Sequence, residues 1–138
     1  YFADALVNAP DIDAFIFDSF SNPTIEEIRE RLFPFIEKLQ GAHPGKPLIF
    51  QHTIYRERRN FDLATEKNES ERMRVVDELM AEAVKRYKDV YYVTTTNATS
   101  PKHDTSVDGT HPGDHGYSLW AESIQKPILK ILRKYGIR

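Results

Sequence analysis

Three short apolar runs, separated by much longer amphipathic stretches, constrain the fold of this chain more than any other feature of its sequence. The runs are AFIFDSF from Ala14, PLIFQHT from Pro47 and VYYVTT from Val90. Each run is rich in branched or aromatic side chains and is bounded by turn-forming residues, which is typical of strands buried on both faces. The runs therefore predict three parallel strands inside a layered protein.

The stretches between the runs have the apolar spacing of α-helices. The first, TIEEIRERLFPFIEKLQ, begins at Thr24, which fits a capping box with Glu27, and it contains Pro34, which we expect to kink the helix or to start its second half. A second helix is expected from about 69 to 87 and a last one from about 114 to 135. Strands that alternate with such helices predict an α/β fold with a parallel sheet and right-handed crossovers.

The length of 138 residues suits one domain, which we place at residues 1–138. Only three strands are visible, whereas a sheet commonly has about five or six. The opening YFADALVNAP resembles the end of a helix, and the first residue is Tyr1 rather than methionine. We therefore expect the chain to be the C-terminal part of a larger unit whose earlier strands and helices stand upstream.

The composition argues against several classes of protein. Without cysteine, the chain has no disulfide, no thiolate nucleophile and no zinc–thiolate site. The formal net charge is −2, and no cluster of lysine and arginine is interleaved with aromatic residues, which argues against a nucleic-acid partner. No apolar run reaches the roughly 20 residues of a membrane span, so we expect no membrane-spanning segment.

The stretch DGTHPGDHGY, residues 108–117, has the spacing of a catalytic base and its orienting carboxylate. Open parallel sheets bind ligands beyond the carboxyl ends of their strands, and this stretch follows the third strand. On a tight turn Asp108 can accept a hydrogen bond from one imidazole nitrogen of His111, which leaves the other nitrogen for a nucleophile. Alternatively, Asp108 and Asp114 only cap the last helix, and His111 is a surface loop residue.

The same region permits a metal site, because histidines and carboxylates together suit zinc or iron. Its candidate ligands are His111 and His115, with Asp108, Asp114 and His103 nearby. A proline and a glycine lie between the first two histidines, so these are not expected to share a helix face. We therefore expect no metal.

Asn22 stands just beyond the carboxyl end of the first strand, where its side-chain amide could donate to a developing oxyanion. The alternative is structural, because Ser-Asn-Pro before Thr24 also suits a turn into a helix. The expected position of Asn22 at the same sheet edge as Asp108 and His111 favours the catalytic role.

The segment after the second strand carries polar side chains that could line the rim of a pocket and contact a substrate. These side chains are His52, Tyr55 and Arg56. A solvated loop with some backbone hydrogen bonds is the simpler interpretation of this segment.

The last loop and helix, DGTHPGDHGYSLWAESIQKPILKIL, resembles the final sequence block of the SGNH, or GDSL-like, lipase and acylhydrolase family. DAFIFDSFSNPTIEEIRERLFPFIEKL is similar to the asparagine block of a divergent branch of that family, and KPLIFQHTIYRER to the next strand. The resemblance covers essentially the whole chain, and Asp-Gly-Thr-His-Pro is its most specific element. It implies a three-layer α/β/α fold of the flavodoxin-like type, of which this chain would hold the C-terminal strands and helices.

The resemblance also implies a serine esterase that hydrolyses carboxylic ester bonds without a cofactor. Asp108 and His111 would be members of its Ser-His-Asp triad, and Asn22 would be an oxyanion-hole donor. The family's Gly-Asp-Ser block is absent from the sequence, as is the glycine of its next block. We therefore expect the nucleophilic serine upstream and expect the chain alone to be inactive. A non-catalytic α/β domain that binds a ligand is the alternative from another class.

The expected partners follow from the implied reaction and from the sheet. The substrate would be an ester of a small molecule, a carbohydrate or a lipid, and the resemblance is compatible with export. If earlier strands are missing, the strand that begins at Ala14 leaves a bare apolar edge. We expect the missing N-terminal segment or a second copy of the chain to pair there.

Overall fold

The computed structural model describes residues 2–94, 99 and 105–137, and it contains the predicted parallel sheet. The strands are β1 (Phe15–Phe17), β2 (Leu48–Gln51) and β3 (Val90–Val93), in the order β1-β2-β3. Both neighbouring pairs are parallel, and Leu48 is aligned with Phe15 on one side and with Val90 on the other. β1 is shorter than the apolar run that predicted it, because the chain leaves the sheet at Asp18.

The described residues form four α-helices and one 3₁₀ helix. These are α1 (Phe2–Val7), α2 (Ile25–Ala42), the 3₁₀ helix (Glu57–Asn60), α3 (Leu63–Arg86) and α4 (Asp114–Arg133). α2 has the predicted capping box, in which the Glu27 N–H donates to Thr24 Oγ1 and the Thr24 N–H donates to Glu27 Oε2. α2 continues as one helix on both sides of Pro34. Within the described part of the chain, no helix is both long and apolar enough to cross a membrane.

α3 begins at Leu63, well before the start near Glu69 that the apolar spacing predicts. The Asp62 carboxylate caps the helix by accepting hydrogen bonds from the N–H groups of Ala64 and Thr65 at 3.0 and 3.1 Å. Leu63 itself is 87% exposed. The first turns therefore carry no buried stripe, and a side-chain cap rather than packing decides where this helix starts.

Alternate strand residues face two different helical layers. Phe50 lies on the face covered by α2 and α3. The buried apolar residues of these two helices are Ile28, Leu32, Ile36, Leu39, Met73, Val76, Met80 and Ala83. On the other face, Ile49 and Val93 pack against Ile128 and Ile131 of α4. Since each fully buried aliphatic side chain contributes about 1.5–3 kcal/mol, both layers stabilise the sheet, and the predicted α/β/α arrangement is confirmed.

β1 is the edge strand of the described sheet. The Phe15 N–H donates to the Pro47 carbonyl at 2.9 Å. Successive residues of a strand point their backbone groups to opposite sides, so Ile16 directs its N–H and C=O away from β2. Among the described residues, no further strand lies on that side of β1. The side chain of Ile16 lies beside that of buried Ile49, yet Ile16 is 47% exposed. β1 therefore presents unpaired backbone groups along its edge and an exposed apolar side chain on the face that α4 leaves uncovered.

Candidate active site

The loop that leads into α4, from residue 105 to 113, forms a narrow hairpin with Asp108 and His111 in its turn. The Gly113 N–H donates to the Thr105 carbonyl at 2.8 Å, and the Val107 N–H donates to the His111 carbonyl at 2.9 Å. These bonds close the hairpin on both sides of the turn, so they fix the direction in which the two polar side chains leave the backbone.

Asp108 contacts both the backbone and the imidazole of His111. Its Oδ2 lies 2.7 Å from His111 Nδ1, and its Oδ1 accepts from the N–H groups of His111 and Thr110 at 2.8 and 2.9 Å. These hydrogen bonds, the one from the His111 backbone first, hold the pKa of Asp108 far below its usual range. An ionised carboxylate can only accept, so Nδ1 carries the proton and Nε2 of the neutral ring has a free lone pair.

Both side chains of the pair are accessible to solvent. Asp108 is 54% exposed and His111 75% exposed, and Nε2 of His111 has no hydrogen-bond partner among the described residues. A single hydrogen bond between exposed groups contributes little stability in water. The orientation of the ring therefore depends on the folded turn around it rather than on this contact alone.

Gly109 lies against the 3₁₀ helix. Its carbonyl accepts from the Arg58 N–H at 2.7 Å. Its φ is +79°, and a Cβ at this position would lie only 3.1 Å from the Cβ of Arg58. The left-handed backbone conformation favours glycine here, and any added side chain would also require Arg58 to shift.

The start of α4 does not depend on Asp108. The N-cap residue is Gly113, which makes no side-chain capping bond, while the oxygens of Asp108 serve their own turn. The interpretation that Asp108 merely caps the last helix is therefore wrong. Asp114 does lie in the first turn of α4, where a carboxylate meets the positive end of the helix dipole.

Asn22 lies on the exposed turn between β1 and α2. Its neighbour Ser21 is fixed across the sheet edge, because Ser21 Oγ lies 2.7 Å from Thr53 Oγ1 beyond β2. Within the described part of the chain, Asn22 makes no hydrogen bond, either to Asp108 or to His111. The structure thus brings Asp108 and His111 together, whereas the side-chain amide of Asn22 makes no hydrogen bond within the described residues.

The segment after β2 is better ordered than a solvated loop. His52 and Tyr55 line a cavity of about 480 Å³ together with Thr53, Asp77, Tyr92, Thr94 and Thr99. The side chain of Arg56 is only 20% exposed and donates to Glu69 at 2.9 Å. The simpler interpretation is therefore wrong for Arg56, which is an internal contact, whereas His52 and Tyr55 do border a pocket.

The described residues offer no metal site. No group of three or more histidine, aspartate or glutamate side chains within them is arranged to hold an ion. His103, one of the candidate ligands, lies outside the described residues.

Glu57 is a residue of this region that the sequence analysis missed. It belongs to the charged stretch YRERRN, which has the composition of a surface loop, yet it is only 8% exposed. Its hydrogen-bond partners are Thr105 and Ser106, at the base of the hairpin that carries His111. Periodicity cannot reveal such a contact, because the partners are 48 and 49 positions away in sequence.

Comparisons with known proteins agree with the fold and the family predicted from the sequence. A family model, the GDSL-like lipase/acylhydrolase family, matches residues 3–130. A crystal structure from Bacteroides ovatus, of a protein named as a candidate GDSL-like lipase, matches with a TM-score of 0.85 and 31% identity. The match covers 96% of this chain and 39% of that one. No curated protein matches the chain.

Proposed function

Because the chain belongs to the GDSL-like lipase/acylhydrolase family, we propose that it supplies the histidine and the aspartate of a serine esterase. The observation that carries this proposal is the 2.7 Å contact between Asp108 Oδ2 and His111 Nδ1. It leaves Nε2 as the basic nitrogen of an exposed ring, in a hairpin that contacts the 3₁₀ helix following β2. This is the arrangement that a general base needs next to an attacking hydroxyl.

In the proposed reaction, a serine hydroxyl attacks the carbonyl carbon of an ester while Nε2 of His111 takes the hydroxyl proton. The tetrahedral intermediate then breaks its bond to the alcohol, which leaves with the proton from Nε2. A water molecule then attacks the carbonyl carbon of the acyl-enzyme while Nε2 takes its proton. The bond to the serine oxygen breaks, the serine regains a proton from Nε2, and the carboxylic acid leaves. Asp108 keeps the ring in the required tautomer and stabilises the imidazolium that forms in each half.

Asn22 is proposed to donate to the negative oxygen of the tetrahedral intermediate, together with backbone N–H groups outside this chain. Its exposed amide beyond the carboxyl end of β1 supports this role, since the amide makes no hydrogen bond within the described residues. A donor that is already placed where charge develops stabilises the transition state at little cost of reorganisation.

The nucleophilic serine is proposed to come from a segment outside these 138 residues. The family's Gly-Asp-Ser block is absent from the sequence, and the chain spans 39% of the length of the Bacteroides ovatus protein. We do not assign this role to Ser21, because its hydroxyl contacts Thr53 Oγ1 and, among the described residues, contacts no imidazole. Without its serine a triad loses a factor on the order of 10⁶ in rate, so the chain alone would be inactive.

Hydrolysis of p-nitrophenyl acetate by the intact protein tests the proposal. His111→Ala is expected to lower kcat by roughly 10³-fold or more. His115→Ala is the matched control, because His115 is exposed in the first turn of α4 and has no proposed role. If His111→Ala kept the wild-type rate, or if the intact protein hydrolysed no ester, the chain would instead be a non-catalytic α/β ligand-binding domain.

A further inference from the structure

Three consecutive residues, Arg56, Glu57 and Arg58, connect the turn that carries Asn22 to the hairpin that carries His111. They lie at the start of the 3₁₀ helix. Arg56 contacts the turn, while Glu57 and Arg58 contact the hairpin at two separate points. One short segment of the chain therefore contacts both sites.

Glu57 holds the base of the hairpin. Its Oε1 accepts from the N–H and the hydroxyl of Thr105 at 2.7 and 2.5 Å, and its Oε2 accepts from those of Ser106 at 3.3 and 2.6 Å. Burial alone would raise the pKa of Glu57, but these hydrogen bonds outweigh it and keep the pKa below its ordinary value. A buried carboxylate whose donors all come from two adjacent residues leaves those residues little freedom to move.

Arg58 holds the other end of the hairpin turn through its backbone. Its N–H donates to Gly109 O at 2.7 Å. Gly109 directly follows Asp108, so this contact and the Glu57 contacts lie on the two sides of Val107 and Asp108. The backbone that carries Asp108, whose carboxylate orients His111, is therefore held by hydrogen bonds on both sides.

Arg56 reaches the opposite site. One of its guanidinium nitrogens donates to the Ser21 carbonyl at 2.8 Å, and the other donates to buried Glu69 at 2.9 Å. Arg72 donates to the same two acceptors at 2.8 and 3.1 Å. The residue before Asn22 is thus held by two guanidinium groups, one of which belongs to the segment that holds the hairpin.

We propose that Glu57 is a positioning residue, and that the segment Arg56–Arg58 sets the place of His111 relative to Asn22. This inference rests on the proposed function, because it presumes that His111 and Asn22 take part in the reaction. Glu57 itself carries out no chemical step. Catalysis needs such groups within a fraction of an ångström of their productive positions, and a misplacement of about 1 Å can cost on the order of 100-fold in rate.

The test is Glu57→Gln in the intact protein, with kcat and KM measured on p-nitrophenyl acetate. Glutamine has the shape of glutamate, but its amide nitrogen would face an N–H that needs an acceptor. We expect kcat to fall roughly 10- to 100-fold, with KM changed by less than about threefold, because alignment rather than binding is lost. Ser106→Ala, which leaves the carboxylate three of its four bonds, is a milder variant that should fold and lose several-fold in kcat.

Glu66→Gln is the matched control. Glu66 is also a hydrogen-bonded carboxylate, but its partners are Arg59 and Ser70 rather than residues of the hairpin. The kcat of the Glu66→Gln variant should therefore equal that of the wild type. In a His111→Ala background, Glu57→Gln should cost no further activity, whereas a general weakening of the fold would cost the same factor in both backgrounds.

Wild-type kcat in folded Glu57→Gln or Ser106→Ala, or an equal loss in both backgrounds, would overturn the positioning role and leave the proposed function standing. An intact protein without esterase activity would overturn both.

Discussion

His111 Nδ1 lies 2.7 Å from Oδ2 of Asp108, and the same carboxylate accepts the backbone N–H of His111 through its other oxygen. The orienting acid and the base are therefore parts of one turn, rather than groups brought together from distant segments. The pair can form in this chain whether or not a nucleophile is present. What remains to be positioned is the turn as a whole.

Asp108→Asn is expected to lower kcat by on the order of 10³- to 10⁴-fold. An asparagine can still accept the backbone N–H groups through its oxygen, but it then directs an amide N–H at Nδ1 and favours the tautomer in which Nε2 is protonated. Steady-state rates on a chromogenic ester measure the effect, with Asp114→Asn in the first turn of α4 as the control. A loss of less than about tenfold would contradict the orienting role.

The stabilising effect of Glu57 is expected to depend on pH. Because its folded-state pKa lies below the ordinary 4.5, its ionised form stabilises the fold fully above that value, and the contribution is lost as pH falls through the lowered pKa. Glutamine at this position does not titrate. The difference in Tm between the wild type and Glu57→Gln should therefore be largest near neutral pH and shrink as the pH falls below 4.5, through the lowered pKa of Glu57. A difference that stays constant or grows on acidification would contradict this account.

Gly116→Ala is expected to destabilise the protein by roughly 1–3 kcal/mol. A Cβ at Gly116 would collide with the carbonyl oxygen of Thr105, so the first turn of α4 would have to move away from the hairpin. Gly41→Ala is the control, because Gly41 is also helical but has nothing within 4 Å of the added Cβ. That variant should gain up to about 1 kcal/mol. Denaturant unfolding of both variants distinguishes these outcomes, and equal effects would exclude the close packing.

The exposed edge of β1 is expected to make the 138-residue chain associate with itself. Ile16→Lys should reduce the mass measured by light scattering, because a charge on an edge strand opposes pairing with another strand. Val84→Lys provides the comparison, since Val84 is 43% exposed on α3, away from this edge. A wild-type chain that remained a monodisperse monomer at high concentration would contradict the prediction.

Features that depend on neighbours in sequence could be predicted, and features that depend on distant contacts could not. The strands, the cap at Thr24 and the contact between Asp108 and His111 each depend on a few consecutive residues. The burial of Arg56 and Glu57 could not be predicted, because it depends on contacts with Ser21, Glu69, Thr105 and Ser106, which are distant in sequence. The early start of α3 was missed because its signal is one aspartate, Asp62, rather than an apolar stripe.

The role of Asn22 remains a prediction. Its position beyond β1 follows from the sequence, whereas its distance to a substrate oxygen depends on groups that this chain does not supply. Asn22→Ala in the intact protein should lower kcat by roughly 10²- to 10³-fold if it is an oxyanion donor. A variant with the wild-type rate would reduce Asn22 to a residue of the turn into α2.

The measurement that tests the central claim most directly is labelling of the intact native protein with a fluorophosphonate probe, followed by mass spectrometry of every labelled species. The account predicts a single label on a serine outside these 138 residues, and loss of that label in His111→Ala but not in His115→Ala. A label on a serine within the chain would contradict the proposed origin of the nucleophile. No label on the intact protein would contradict the proposal that Asp108 and His111 serve a serine esterase.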